Sequence, residues 1–163
     1  MKFVIRYFVV SIVILLLPGV WVCDADYMYW DTDFDEIALL SIDSQSQVRE
    51  GSATVTLYTN GDAHISADNT ASGPAELSCA TDILKTEYKL SFDGDGASAT
   101  GGANTSYETY DSFLSTESSI TYVADDNDVE VTLYVRASNN TDDMADSGAY
   151  SAEQTLTVSW DGP

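Results

Sequence analysis

Val129-Glu130-Val131-Thr132-Leu133-Tyr134-Val135-Arg136 alternates at every step. Val129, Val131, Leu133 and Val135 fall on one side of an extended chain, and Glu130, Thr132, Tyr134 and Arg136 on the other. One apolar face and one polar face at a period of two describe a strand lying over a core. Working outward, four more stretches carry the same signal: Ala53–Thr59, the alternating Tyr88, Leu90 and Phe92, Ser119–Val123, and Thr155–Trp160. Ile37–Ile42 reads as a buried first strand and Ala63–Ala67 as a short one. Asn60-Gly61 lies between two of these strands, and both residues tolerate positive φ, so the pair predicts a type I′ hairpin.

Turn-forming residues separate the strands: Ser72-Gly73-Pro74, Asp93-Gly94-Asp95-Gly96, Gly101-Gly102 and Asp125-Asp126-Asn127-Asp128. Residues 93–106 read as a long exposed loop, and Thr81–Thr86 has room for one helical turn. About seven short strands with no longer helix between them imply an all-β chain, a single antiparallel sandwich.

The first residues, MKFVIRYFVVSIVILLLPGVWVCDAD, have the parts of a secretory signal. Lys2 and Arg6 give the positive start, Tyr7–Leu17 is uncharged, and Cys23-Asp24-Ala25 is a small-x-small cleavage site before Asp26. The alternative, a membrane anchor, has a largely apolar stretch of 16 residues from Tyr7 to Val22, short of the ~20 a span requires. Cleavage after Ala25 leaves Cys79 as a lone thiol. Cleavage nearer Gly19 would keep Cys23 and allow a disulfide with Cys79 in an oxidising compartment. The chain divides into a signal peptide (1–25), an N-terminal extension (26–35) and a β-sandwich domain (36–163).

Without residues 1–25 the chain has 4 basic and 26 acidic side chains over 138 residues, a formal net charge of −22. That charge repels nucleic-acid phosphates and anionic lipid, which argues against both as partners, and against a membrane after signal cleavage. Disorder is excluded by a hydrophobic share of 44% and ten tyrosines set in alternating patterns.

Asp146-Ser147-Gly148-Ala149-Tyr150 resembles the tyrosine corner of immunoglobulin domains, in which the tyrosine folds back onto upstream backbone. Position 152 holds Ala where those domains carry Cys. Gly148, Tyr150 and the run Thr155-Leu156-Thr157-Val158-Ser159 resemble the closing strand of secreted pilin-like and spore-coat-U-like subunits. The resemblance covers about 16 residues. It implies an extracellular, cell-surface or periplasmic subunit with an immunoglobulin-like sandwich and no catalytic residues. In chaperone-assembled pilins an apolar N-terminal extension fills a groove in the next subunit. Tyr27, Met28, Tyr29 and Trp30 could take that part here by strand addition, with self-assembly or other surface subunits as partners; the plainer reading, that these residues pack on their own domain, stands ahead of it.

Asp31, Asp33 and Asp35 are spaced like a calcium loop, but Glu36 and Ile42 stand where an EF-hand requires Gly and Glu. Asp93 and Asp95 in one turn, and Asp125, Asp126 and Asp128 in another, are the candidate calcium ligands. Asn104 and Asn139 head glycosylation sequons in expected loops. His64 is the only histidine, and the chain has no HExxH, CxxC, P-loop or Gly-x-Ser-x-Gly. The expected function is therefore a non-enzymatic structural subunit of a filament or coat. A stand-alone binding module for carbohydrate or calcium, using exposed aromatics beside acidic loops, is the alternative.

Overall fold

A computed structural model describes residues 25–67, 72–80, 82–140 and 144–162. The proposed signal segment and Cys23 lie outside the described residues. In chain order the strands are β1 (Met28–Trp30), β2 (Val48–Thr59), β3 (Asp62–Ala67), β4 (Ser78–Cys79), β5 (Asp82–Ile83), β6 (Lys85–Asp93), β7 (Gly101–Gly102), β8 (Glu108–Thr109), β9 (Ser118–Thr121), β10 (Asp128–Ser138) and β11 (Leu156–Gly162), with one helical turn, α1 (Ser72–Ala75). The chain is all-β with antiparallel sheets. One sheet runs β1-β2-β10-β6-β8, a second β11-β3-β9-β7, and β4 pairs with β5 alone.

β10 is the axis of the first sheet. Leu133 lies opposite Ala53 on β2 and Leu90 on β6, and Val131 opposite Val55 and Phe92. Its inward residues Val129, Val131, Leu133 and Val135 are all buried, while Glu130 is exposed. The second sheet supplies Ala63, Ile65, Ile120 and Leu156 to the same core. One contiguous core between two sheets lets both bury an apolar face.

Asn60-Gly61 does not make a hairpin. β2 belongs to the first sheet and β3 to the second, so the chain turns a corner between sheets here. Neither residue has positive φ, as a type I′ turn would need. Thr59 closes the corner by donating its hydroxyl to Gly61 O at 2.7 Å and accepting from Gly61 N at 3.2 Å. Glycine is required there by close approach, since a Cβ would overlap Trp160 Nε1 and Gly162 O.

Three other expectations are corrected. Ile37–Ile42 forms no strand; it lies along the inner face of the first sheet, with Ile37 and Leu39 half-buried. The stretch 93–106 is not simply an exposed loop, because Gly101–Gly102 pairs with β9 and Thr100 is fully buried. The helical turn falls at Ser72–Ala75 rather than at 81–86, where β5 and the start of β6 lie.

The N-terminal extension lies against the domain. β1 pairs with the end of β2, Met28 opposite Thr59 and Trp30 opposite Leu57. Trp30 and Phe34 are both 7% exposed and join the core, their rings 5.7 Å apart. Asn60 holds the segment: its Oδ1 accepts from Tyr27 N at 2.8 Å, and its backbone N donates to Tyr27 O at 3.2 Å. Residues 28–34 are part of the domain because period-two alternation turns Trp30 inward.

Candidate functional site

Two of the four proposed assembly residues stay at the surface. Tyr29 and Tyr58 are cross-strand partners on the outer face of the first sheet, with ring centroids 5.2 Å apart and planes inclined by 26°. Tyr27 continues the row at 6.0 Å from Tyr29, and its hydroxyl accepts from Asn127 Nδ2. Trp30 is in the core and Met28 packs against it. The Tyr58 hydroxyl is held above its ordinary pKa by packing, then by the charges of Asp128 and Asp31.

The acidic turns meet at the same end of the sheet. Asp95, Asp126 and Asp128 each offer a carboxylate oxygen within 4.8 Å of the others. Asp93 and Asp125 are not part of this group. Asp93 ends β6 opposite Glu130, and Asp125 takes φ 71° to make the turn before β10. Burial, then Asp95 and Asp126, raises the Asp128 carboxyl above the usual range. Thr100 N donates to Asp126 Oδ2, which fixes this turn against the loop ahead of β7.

The two sequons differ. Asn104 is exposed, its Oδ1 accepting from Phe92 N at 2.9 Å. Asn139 is 7% exposed, with Nδ2 donating to Ser44 O at 3.2 Å and Oδ1 accepting from Ala145 N at 2.9 Å. A glycan on that nitrogen would break the Ser44 bond, which argues against Asn139 as an acceptor.

Tyr150 makes the fold-back contact its motif implies, donating to Asp146 O at 2.8 Å. Burial and the Asp82 carboxylate push its pKa up to about 12. Cys79 is a half-buried free thiol.

Sequence reasoning missed two clusters. His64 Nδ1 lies 2.7 Å from Asp161 Oδ1, and Nε2 3.5 Å from Glu117 Oε2. On the outer face of the first sheet, Lys89 Nζ sits 4.3 Å from the Tyr134 ring centroid, and Arg136 Cζ 4.1 Å from that of Tyr107. Arg136 Nε donates to Glu87 Oε2 at 2.8 Å, and Lys85 Nζ lies 3.2 Å from Glu87 Oε1. The Arg136 hydrogen bond holds the Glu87 carboxyl below the usual range, against the opposing effect of burial. A lowered folded value stabilises the fold above the unfolded carboxylate pKa and is lost as pH falls through the folded one. Glu87→Gln should therefore lower the Tm modestly at pH 7, because Arg136 is partly exposed to solvent screening. The gap from wild type should close as the pH falls below the glutamate range, read by melts across that interval.

No protein-family model matches the chain, and no curated protein or solved structure matches it. Among the described residues, no helix is long and apolar enough to cross a membrane.

Proposed function

We propose that the chain is a non-enzymatic, exported structural subunit of a cell-surface filament or coat, an immunoglobulin-like sandwich that assembles through a strand edge. The side of β11 away from β3, which pairs with no strand among the described residues, carries this reading. The first sheet ends at strands of three and two residues, β1 and β8, and the second ends at two-residue β7 and seven-residue β11. A long free edge presents a row of unpaired backbone groups, a template for another strand. Two core-sharing antiparallel sheets and the Tyr150 fold-back support the immunoglobulin-like architecture. Leaving out β1 and β8, the first and last strands have exchanged sheets relative to an immunoglobulin domain, whose sheets are ABED and CFG. The place beside β10 is thus filled by the chain's own β2, so a neighbour would add at β11 rather than insert there.

Sedimentation and electron microscopy of the mature chain at rising salt test this. Screening of the −22 charge should promote polymers. Thr157→Pro and Val158→Pro, made separately, place the missing N–H on opposite sides of β11. The variant that loses the outward donor should keep its melt and lose the polymer. Monodisperse monomer at every salt and protein concentration sinks the reading.

A carbohydrate or calcium module is the second reading, favoured by the Tyr27–Tyr29–Tyr58 row beside Asp95, Asp126 and Asp128. It requires that Tyr29→Ala abolish retention on an immobilised polysaccharide, or that calcium raise the Tm of wild type but not of Asp126→Asn.

A further inference from the structure

The long strands of the first sheet outrun the second sheet, and two irregular segments cover the overhang. Residues 36–43 form one wall and 144–152 the other, with Leu84, Tyr88, Val135 and Ala137 between them, enclosing a cleft of about 630 Å³. Asn139 sets its width, because its amide bonds reach Ser44 O beside one wall and Ala145 N in the other.

The first wall is strand-like in all but pairing. Ile37 and Leu39 pack over Gly51, where a Cβ would meet Ile37 Cγ2 at 2.7 Å and Leu39 Cδ2 at 2.9 Å. Ala38 and Leu40 point away, and Leu40 is 76% exposed. Among the described residues, 37–42 form no backbone–backbone hydrogen bond, and the only side-chain bond to their backbone is from Arg49 Nε to Ser41 O at 2.7 Å. Apart from Ser41 O, the N–H and C=O groups of these six residues are left for water or for a partner, whereas buried backbone groups in proteins are as a rule paired. Asp43 and Asp146 line the same cleft. Arg49, 3.9 Å from Asp43, offsets that charge only in part.

We propose that residues 37–42 are an acceptor edge for an extended, basic segment of another protein. The segment would add as a strand to the backbone of 37–42, set alternate apolar side chains into the cleft, and pair its Lys or Arg residues with the rim carboxylates. Backbone pairing supplies affinity in such an addition, while pockets and charge select the sequence. The site is separate from β11, and it stands or falls independently of self-assembly.

The probe is a short alternating Lys-Val peptide, read by amide hydrogen exchange of the full mature chain. At peptide concentrations about ten times Kd, exchange at 37–42 should slow roughly tenfold. The same peptide with alternate backbone nitrogens methylated keeps its charge but cannot pair, and it should give no protection; an alternating Glu-Val peptide should give none either. Leu40→Pro and Ser41→Pro, made separately, remove N–H groups on opposite sides of the segment, and the one that loses the partner-facing donor should weaken the protection while leaving the melt unchanged. Equal protection by the methylated peptide, protection confined to other segments, or full binding by both proline variants would each overturn the proposal. Protection that rises with protein concentration in the absence of peptide would make a second copy the occupant, and would overturn it too.

Discussion

Trp30→Ala is expected to destabilise the fold by about 3–5 kcal/mol, the range for deleting a buried tryptophan. Trp30 lies opposite Leu57, contacts Phe34 at 5.7 Å between ring centroids, and is 7% exposed. Its neighbour Tyr29 faces solvent at 48% exposure, where its ring meets those of Tyr58 and Tyr27. Tyr29→Ala should cost under about 1 kcal/mol. Urea titrations of the two variants give the comparison. Similar losses at both positions would mean that β1 does not present opposite faces to core and solvent.

Leu133→Ala carries the second large effect, about 2–5 kcal/mol. Leu133 is fully buried at the centre of the first sheet, between Ala53 and Leu90. Removing its side chain leaves a void walled by two long strands on either side, which cannot easily collapse to fill it. Glu130→Ala, on the exposed face of the same strand, should cost well under about 1 kcal/mol. Equal changes in the denaturation midpoint would contradict the assigned faces.

The strand at Val129–Arg136 was fully legible because a period of two fixes both the element and its buried face, and its neighbours at 53–59 and 88–92 were legible for the same reason. Asn60-Gly61 was misread because local φ tolerance marks a turn without saying which sheet the next strand joins. That choice is made by Trp160 and Gly162, a hundred residues further on. Ile37–Ile42 has the residues of a strand but no partner among the described residues, and a partner is the one property periodicity cannot supply. Tyr27-Met28-Tyr29-Trp30 is compatible in sequence with either a docking arm or packing on its own domain, and alternation splits it between core and surface. Of the five candidate calcium ligands, the structure brings three together. Spacing marked the acidic turns, but the φ of 71° at Asp125 and the position of Asp93 at a strand end are outcomes of folding. The carboxylates around His64 come from positions 117 and 161, too distant in sequence for any motif to link them.

Residues 28–34 pack on the domain, which in the proposed assembly leaves β11 as the edge through which subunits would join. The most direct measurement is the thermal melt of the mature chain beside a chain lacking residues 26–34. Loss or a large downward shift of the cooperative transition is the predicted result, because Trp30, Phe34 and the Asn60 bonds to Tyr27 would all be removed. An unchanged melt accompanied by loss of polymer would contradict it, and would make the aromatic segment a free arm that docks on a neighbour.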